Sequence, residues 1–162
     1  MTQTETRGAR GLRVVAGILL LAWVVAGVVN AIGCIMGNTP TPLGTLATLV
    51  AVCAWPIAGW FAGSQSGRGF VRLATIFWVA VVAGIPLVYW ALVALSVEIV
   101  SQVGYLLLFA LMAPLYGLVG MLPNRAVTVA AVGVGVAVLA MTLGAYLAGR
   151  RIGGRSAEER SA

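Results

Sequence analysis

The chain has 162 residues, of which 61% are hydrophobic and only 14 are charged: ten Arg and four Glu, with no Lys, Asp or His. A soluble domain is about a quarter charged, so this composition, with a mean hydropathy of +1.05, excludes a soluble globular protein, a disordered chain and a nucleic-acid module. What is left is an all-α, polytopic integral membrane helical bundle, a single membrane domain over residues 1–162 with the lipid bilayer as its first partner.

A helix needs about 20 mostly apolar residues to cross the hydrocarbon core. Five stretches meet that length: about Val14–Met36, Leu43–Gly63, Val71–Leu95, Val103–Leu122 and Ala126–Ala148. The segments between them carry turn chemistry. Gly37-Asn38-Thr39-Pro40-Thr41-Pro42 separates the first from the second, a Gly/Ser loop with Arg68 the second from the third, Ser96–Gln102 the third from the fourth, and Pro123-Asn124-Arg125 the fourth from the fifth. Residues 1–11 and 150–162 read as polar tails.

Orientation follows from the arginines in short loops. With a cytoplasmic N-terminus, five spans put Arg7, Arg10, Arg13, Arg68, Arg72 and Arg125 inside, and Arg150, Arg151, Arg155 and Arg160 outside. The C-terminal tail alone disagrees with the rule. The alternative is four spans with both ends inside, in which one apolar stretch does not cross. Leaving out Leu43–Gly63 gives seven arginines against three, although that stretch is as apolar as its neighbours. Dual topology is a further escape. The aromatics favour five spans: Trp60, Phe61 and Phe70 fall near the inner boundary, and Tyr89, Trp90, Tyr105 and Tyr146 towards the outer one. Trp23, Trp55 and Trp78 fit no belt and read as packing between helices or facing lipid.

Polar groups inside a membrane mark function by default, because burying them is costly. Asn30 lies in the outer part of the first span. Glu98 and Gln102 sit at the outer boundary, and with Asn30 they are the candidate polar residues of an outer mouth. Thr45, Thr48, Thr75, Thr128 and Thr142 can return their hydroxyls to the helix backbone. Pro56, Pro86 and Pro114 each fall near the middle of a span, where a missing N–H favours a kink, and are candidate hinges. Pro56-Ile57-Ala58-Gly59 and Pro114-Leu115-Tyr116-Gly117 suggest that spans two-three and four-five are two copies of one hairpin. Small residues recur four apart at Gly27/Ala31, Gly33/Gly37, Gly59/Gly63, Ala113/Gly117 and Ala140-Gly144-Ala148, a spacing that lets helices approach closely.

Cys34 and Cys53 are too far apart along their spans to form a disulfide. Arg7, Arg10 and Arg13, an apolar run and Ala31-Ile32-Gly33-Cys34 resemble a bacterial lipoprotein signal, which would imply a lipidated Cys34. The match departs at Ala31, where the pattern prefers Leu, and the run is long enough to be a true span.

The absence of His and Asp removes the commonest base and metal ligand, so no enzymatic activity, catalytic residue, metal or cofactor is expected. The functional expectation is a multi-pass protein of a bacterial plasma membrane acting as an accessory or structural subunit through helix–helix contacts, in a homo-oligomer or with a membrane partner and without nucleic acid. The bacterial assignment rests on Arg-only, Ala/Val/Gly-rich usage. The alternative is a small transporter or channel with Pro-kinked helices.

Overall fold

The computed structural model is all-helical. It describes residues 3–65, 68–94 and 98–159, with side chains over 11–65, 69–94, 103–123 and 126–153. Five helices follow one another: α1 (Gln3–Met36), α2 (Pro42–Ser64), α3 (Arg68–Ala94), α4 (Glu98–Val119) and α5 (Asn124–Glu159). They coincide with the five apolar stretches, and α1 and α5 run on as helix into the charged tails.

The boundary between α1 and α2 shows how local chemistry sets the helix ends. Gly37 takes a left-handed φ of 64°, and the Asn38 N–H donates to the Gly33 carbonyl at 3.0 Å. This is the six-to-one closure that ends a helix at a glycine. Thr41 then caps α2, its hydroxyl accepting from the Gly44 N–H at 3.1 Å, with Pro42 at the first helical position, where its missing N–H costs nothing.

Around the bundle the order is α1, α2, α5, α3, α4 and back to α1, and α2 also touches α4 across the middle. The core is aromatic. Trp23 of α1 stands edge-on to Phe77 and Trp78 of α3, at centroid distances of 5.1 and 5.5 Å. Trp55 of α2 stacks on Phe77 at 4.6 Å and meets Trp78 at 5.7 Å. Such ring pairs contribute about 0.5–1.5 kcal/mol each beyond area burial. The three tryptophans therefore pack between helices, one of the two places expected for them. The indole Nε1 atoms of Trp55 and Trp78 find no hydrogen-bond acceptor among the described residues. The edge-to-face neighbours leave π faces as the electron-rich surfaces beside these rings.

Helix directions follow from which residues meet. Leu12 reaches Gly69 and Trp23 reaches Trp78, so α1 and α3 run the same way. Asn30 reaches Gly44 and Thr48, so α2 runs back. Along α2 and α5, Gly59 lies against Thr142, Gly63 against Tyr146, and Gly153 against Ser64. The numbers rise together, so α2 and α5 are parallel. Their seam is built from glycines. A Cβ on Gly59 would sit 2.7 Å from the Thr142 carbonyl oxygen, one on Gly63 would collide with the Tyr146 carbonyl oxygen, and one on Gly149 with that of Trp60.

α3 ends, and α5 begins, at the end of the bundle that holds the α1–α2 turn. Between them α4 is one continuous helix with Pro114 inside it. It packs against three helices in turn: Gly104 and Leu111 lie against Leu92 and Gly84 of α3, Pro114 against Gly27 of α1, and Gly117 against Gly44 and Thr48 of α2.

The all-α bundle of five helices is as expected, and four of the helices are long and apolar enough to cross a membrane: Gly11–Met36, Pro42–Ser64, Gly69–Ala94 and Ala126–Gly153. A fifth apolar helix, Val103–Val119, is shorter. Leu43–Gly63, the stretch weighed for removal, lies within one of the four. One further expectation changes. Tyr146 lies beside Gly63, at the end opposite to the one assigned it.

The seam predicts a sharp contrast between glycines. Gly63→Ala should lower the thermal unfolding midpoint in detergent by several degrees, because a carbonyl must move. Gly144→Ala should leave it unchanged or raise it, since nothing lies within 4 Å of its added methyl and Ala favours helix. Equal midpoints for the two variants, followed by circular dichroism, would refute the seam.

Candidate functional site

The best-defined polar feature lies where α1, α2 and α4 meet. Asn30 is 3% exposed and Thr48 fully buried, in an environment where an unpaired amide would cost several kcal/mol. The Asn30 Nδ2 donates to the Ala26 carbonyl at 2.9 Å, the Thr48 Oγ1 at 3.0 Å and the Gly44 carbonyl at 3.2 Å. Thr48 passes its own proton to the Gly44 carbonyl at 3.0 Å. The Asn30 Oδ1 lies against Gly44, in space that any Cβ would fill.

The third helix enters through Gly117. Its carbonyl accepts from Thr45 Oγ1 at 2.9 Å, and a Cβ there would strike the Gly44 carbonyl and the Thr48 hydroxyl. One turn of α4 earlier, Pro114 is buried and its ring packs beside Gly27 of α1. The Tyr116 hydroxyl donates to the Asn38 carbonyl at 2.8 Å, tying α4 to the α1–α2 turn. Gly117, Thr45 and Tyr116 thus hold the second half of α4 against α1 and α2, while Asn30 ties α1 to α2. The node contains amide, hydroxyl and carbonyl groups but no carboxylate, imidazole or amine. It can fix helix positions or take a hydrogen-bonding ligand, but it has no carboxylate or imidazole with which to relay a proton.

Of the three outer-mouth candidates, Asn30 is buried between helices and does not line a mouth. Glu98 and Gln102 fall in the first turns of α4, and their side chains lie outside the described residues. Of the candidate hinges, Pro114 belongs to the node, while Pro56 and Pro86 are half-buried in α2 and α3, which continue as helix on both sides. Thr48 and Thr142 return their hydroxyls to the carbonyls four residues back, as expected. Thr45 bonds across to α4 instead. Sequence reasoning misses the role of Tyr116, for which a hydroxyl beside Gly117 inside an apolar helix is the available signal. Cys34 and Cys53 are free. Cys34 is half-buried against the core, within a helix that also carries Leu19, Trp23 and Asn30 into the bundle.

Compared with known proteins, the chain matches no family model, no curated protein and no solved structure.

Asn30→Leu should cost about 1–2 kcal/mol, the upper part of the range for polar contacts between membrane helices. Thr45→Val should cost about 0.6 kcal/mol, the average for such contacts. A double-mutant cycle between Asn30 and Thr48, read by reversible unfolding in mixed micelles, should give a coupling above about 0.5 kcal/mol; zero coupling would remove the node.

Proposed function

We propose that the chain is an accessory or structural subunit of a bacterial plasma membrane, working without enzymatic activity through helix–helix contacts with a membrane partner or a second copy. The observation that carries this reading is the outer face of α5. Gly133, Ala137, Ala140 and Gly144 all lie exposed on one stripe, at the four- and three-residue steps that align along a helix. Added methyls on Gly133 and Gly144 would meet open space. In lipid, a row of small residues lets another backbone approach closely, and the glycines of α5 used inside the bundle, Gly135, Gly149 and Gly153, are different ones. The expected small-residue series on α5 therefore divides: its Ala140 and Gly144 face outward and do not build the monomer.

A transporter or channel is the second reading. One observation favours it: α4 carries Pro114 within the helix, buried beside Gly27 of α1. Proline-interrupted helices often line substrate or ion paths.

We further propose that both chain ends are cytoplasmic. Eight of the ten arginines lie at the end shared by the start of α1, the start of α3 and the end of α5, against Arg125 alone at the start of α5; Arg160 lies beyond the described residues. Four crossings thus satisfy the positive-inside rule that five crossings violate at the C-terminal tail.

Two experiments test these readings. Ala140→Leu with Gly144→Leu should abolish co-purification or self-association in mild detergent while leaving the unfolding midpoint within a degree or two. Loss of folding together with association would mean the stripe belongs to the bundle, and unchanged association would remove the accessory reading. Separately, a reporter active only in the cytoplasm should be active on both ends, and one active only outside the cytoplasm should be silent on both. A silent cytoplasmic reporter at the C-terminus would restore an odd number of crossings.

A further inference from the structure

The fold gathers cations that are far apart in sequence. Leu12 of α1 touches Gly69 of α3, and α5 runs beside the end of α2, its Gly149 against Trp60 and its Gly153 against Ser64. Arg13, Arg72, Arg150 and Arg151 are thereby brought to one end of the bundle from three helices, and all four side chains are exposed. No carboxylate faces them among the described residues. Trp60 and Phe61, 39% and 59% exposed, stand at the same end.

Depth decides what these cations meet. Arg13 and Arg72 lie two and three residues inside the apolar runs that begin at Gly11 and Gly69, and Arg150 lies three residues inside the run that ends at Gly153. That is within about 5 Å of the span ends. Arginines there bury their stems along the helix and place the guanidinium at the level of the lipid phosphates. A guanidinium fork fits a phosphate bidentately, and exposed Trp is the usual companion at this boundary. A nucleic acid would have to reach the same groups through the headgroup layer.

We propose that this end of the bundle is a binding face for anionic phospholipid headgroups, recognised through their phosphates by arginines from α1, α3 and α5. The proposal is independent of the accessory reading, because it concerns the monomer and not the α5 stripe.

The test uses the purified full chain in neutral detergent, with phosphatidylglycerol and phosphatidylcholine of identical acyl chains as probes and native mass spectrometry as the readout. At equal lipid concentration, phosphatidylglycerol should be retained at least fivefold over phosphatidylcholine, and the preference should fall with added salt. The quadruple variant Arg13→Gln, Arg72→Gln, Arg150→Gln, Arg151→Gln should lose at least two-thirds of that preference. If it fails to fold by circular dichroism, the pairs Arg13→Gln/Arg72→Gln and Arg150→Gln/Arg151→Gln are measured separately, and each should show a partial loss. Equal retention of the two lipids would overturn the proposal, as would an undiminished preference in the folded variants. Displacement of phosphatidylglycerol by equimolar inorganic phosphate would make this a simple anion site, and displacement by a short single-stranded oligonucleotide a nucleic-acid face; either result overturns the lipid assignment.

Discussion

In hydrocarbon, two helices gain little by excluding solvent from between them, because lipid tails are as apolar as the side chains they replace. Contact between α2 and α5 therefore has to come from close backbone approach. Gly59, Gly63, Gly149 and Gly153 supply it by presenting bare Cα positions to carbonyl oxygens of the opposite helix. That contact is directional. It aligns α5 with α2 instead of opposing it, so α3 ends and α5 starts at the same end of the bundle.

The second half of α4 is held against α1 and α2 by a few close contacts. Pro114 has no N–H, Gly117 offers a carbonyl with no side chain to shield it, and the donor for that carbonyl comes from Thr45 on another helix. Asn30 keeps α1 and α2 in register beneath this contact. Displacing α4 would take the Gly117 carbonyl from the Thr45 hydroxyl, a cost in hydrocarbon, whereas Asn30 bonds only within α1 and α2. The polar groups thus serve the architecture first, and their buried position argues for a clamp and not for a wet site.

The extent of each helix was legible in the sequence because an apolar run flanked by Gly, Pro and Asn leaves few other choices. The direction of α5 was not legible. Counting spans treats every apolar run of about 20 residues as a crossing and says nothing of which helices pack side by side or in which direction. The one trace in the sequence was electrostatic: Arg150, Arg151, Arg155 and Arg160 fell on the wrong side of a five-span chain. Which small residues form the seam was equally hidden. Gly59/Gly63 and Ala140/Gly144 share a spacing, yet only the first pair packs inside the bundle, since spacing fixes a face but not what the face meets. Asn30 stood out as a buried amide, while its partners lay 14 and 18 residues away across a turn. Glu98 and Gln102 fall where side chains are not described, so that part of the candidate mouth rests on sequence alone.

Scarcity of charge takes on a sharper meaning once α5 is seen to run parallel to α2. Nearly all of the net positive charge sits at one end of the bundle, and the opposite end carries Arg125 and Glu98, whose formal charges cancel. Moving an arginine-bearing tail through a bilayer is unfavourable, so the distribution of charge and the packing of α2 on α5 favour the same direction for α5. These two constraints are physically independent. One acts between backbones within the bundle, and the other between guanidinium groups and the membrane surface. Their agreement supports the direction of α5, because reversing α5 would break the glycine seam and separate the arginines at the same time.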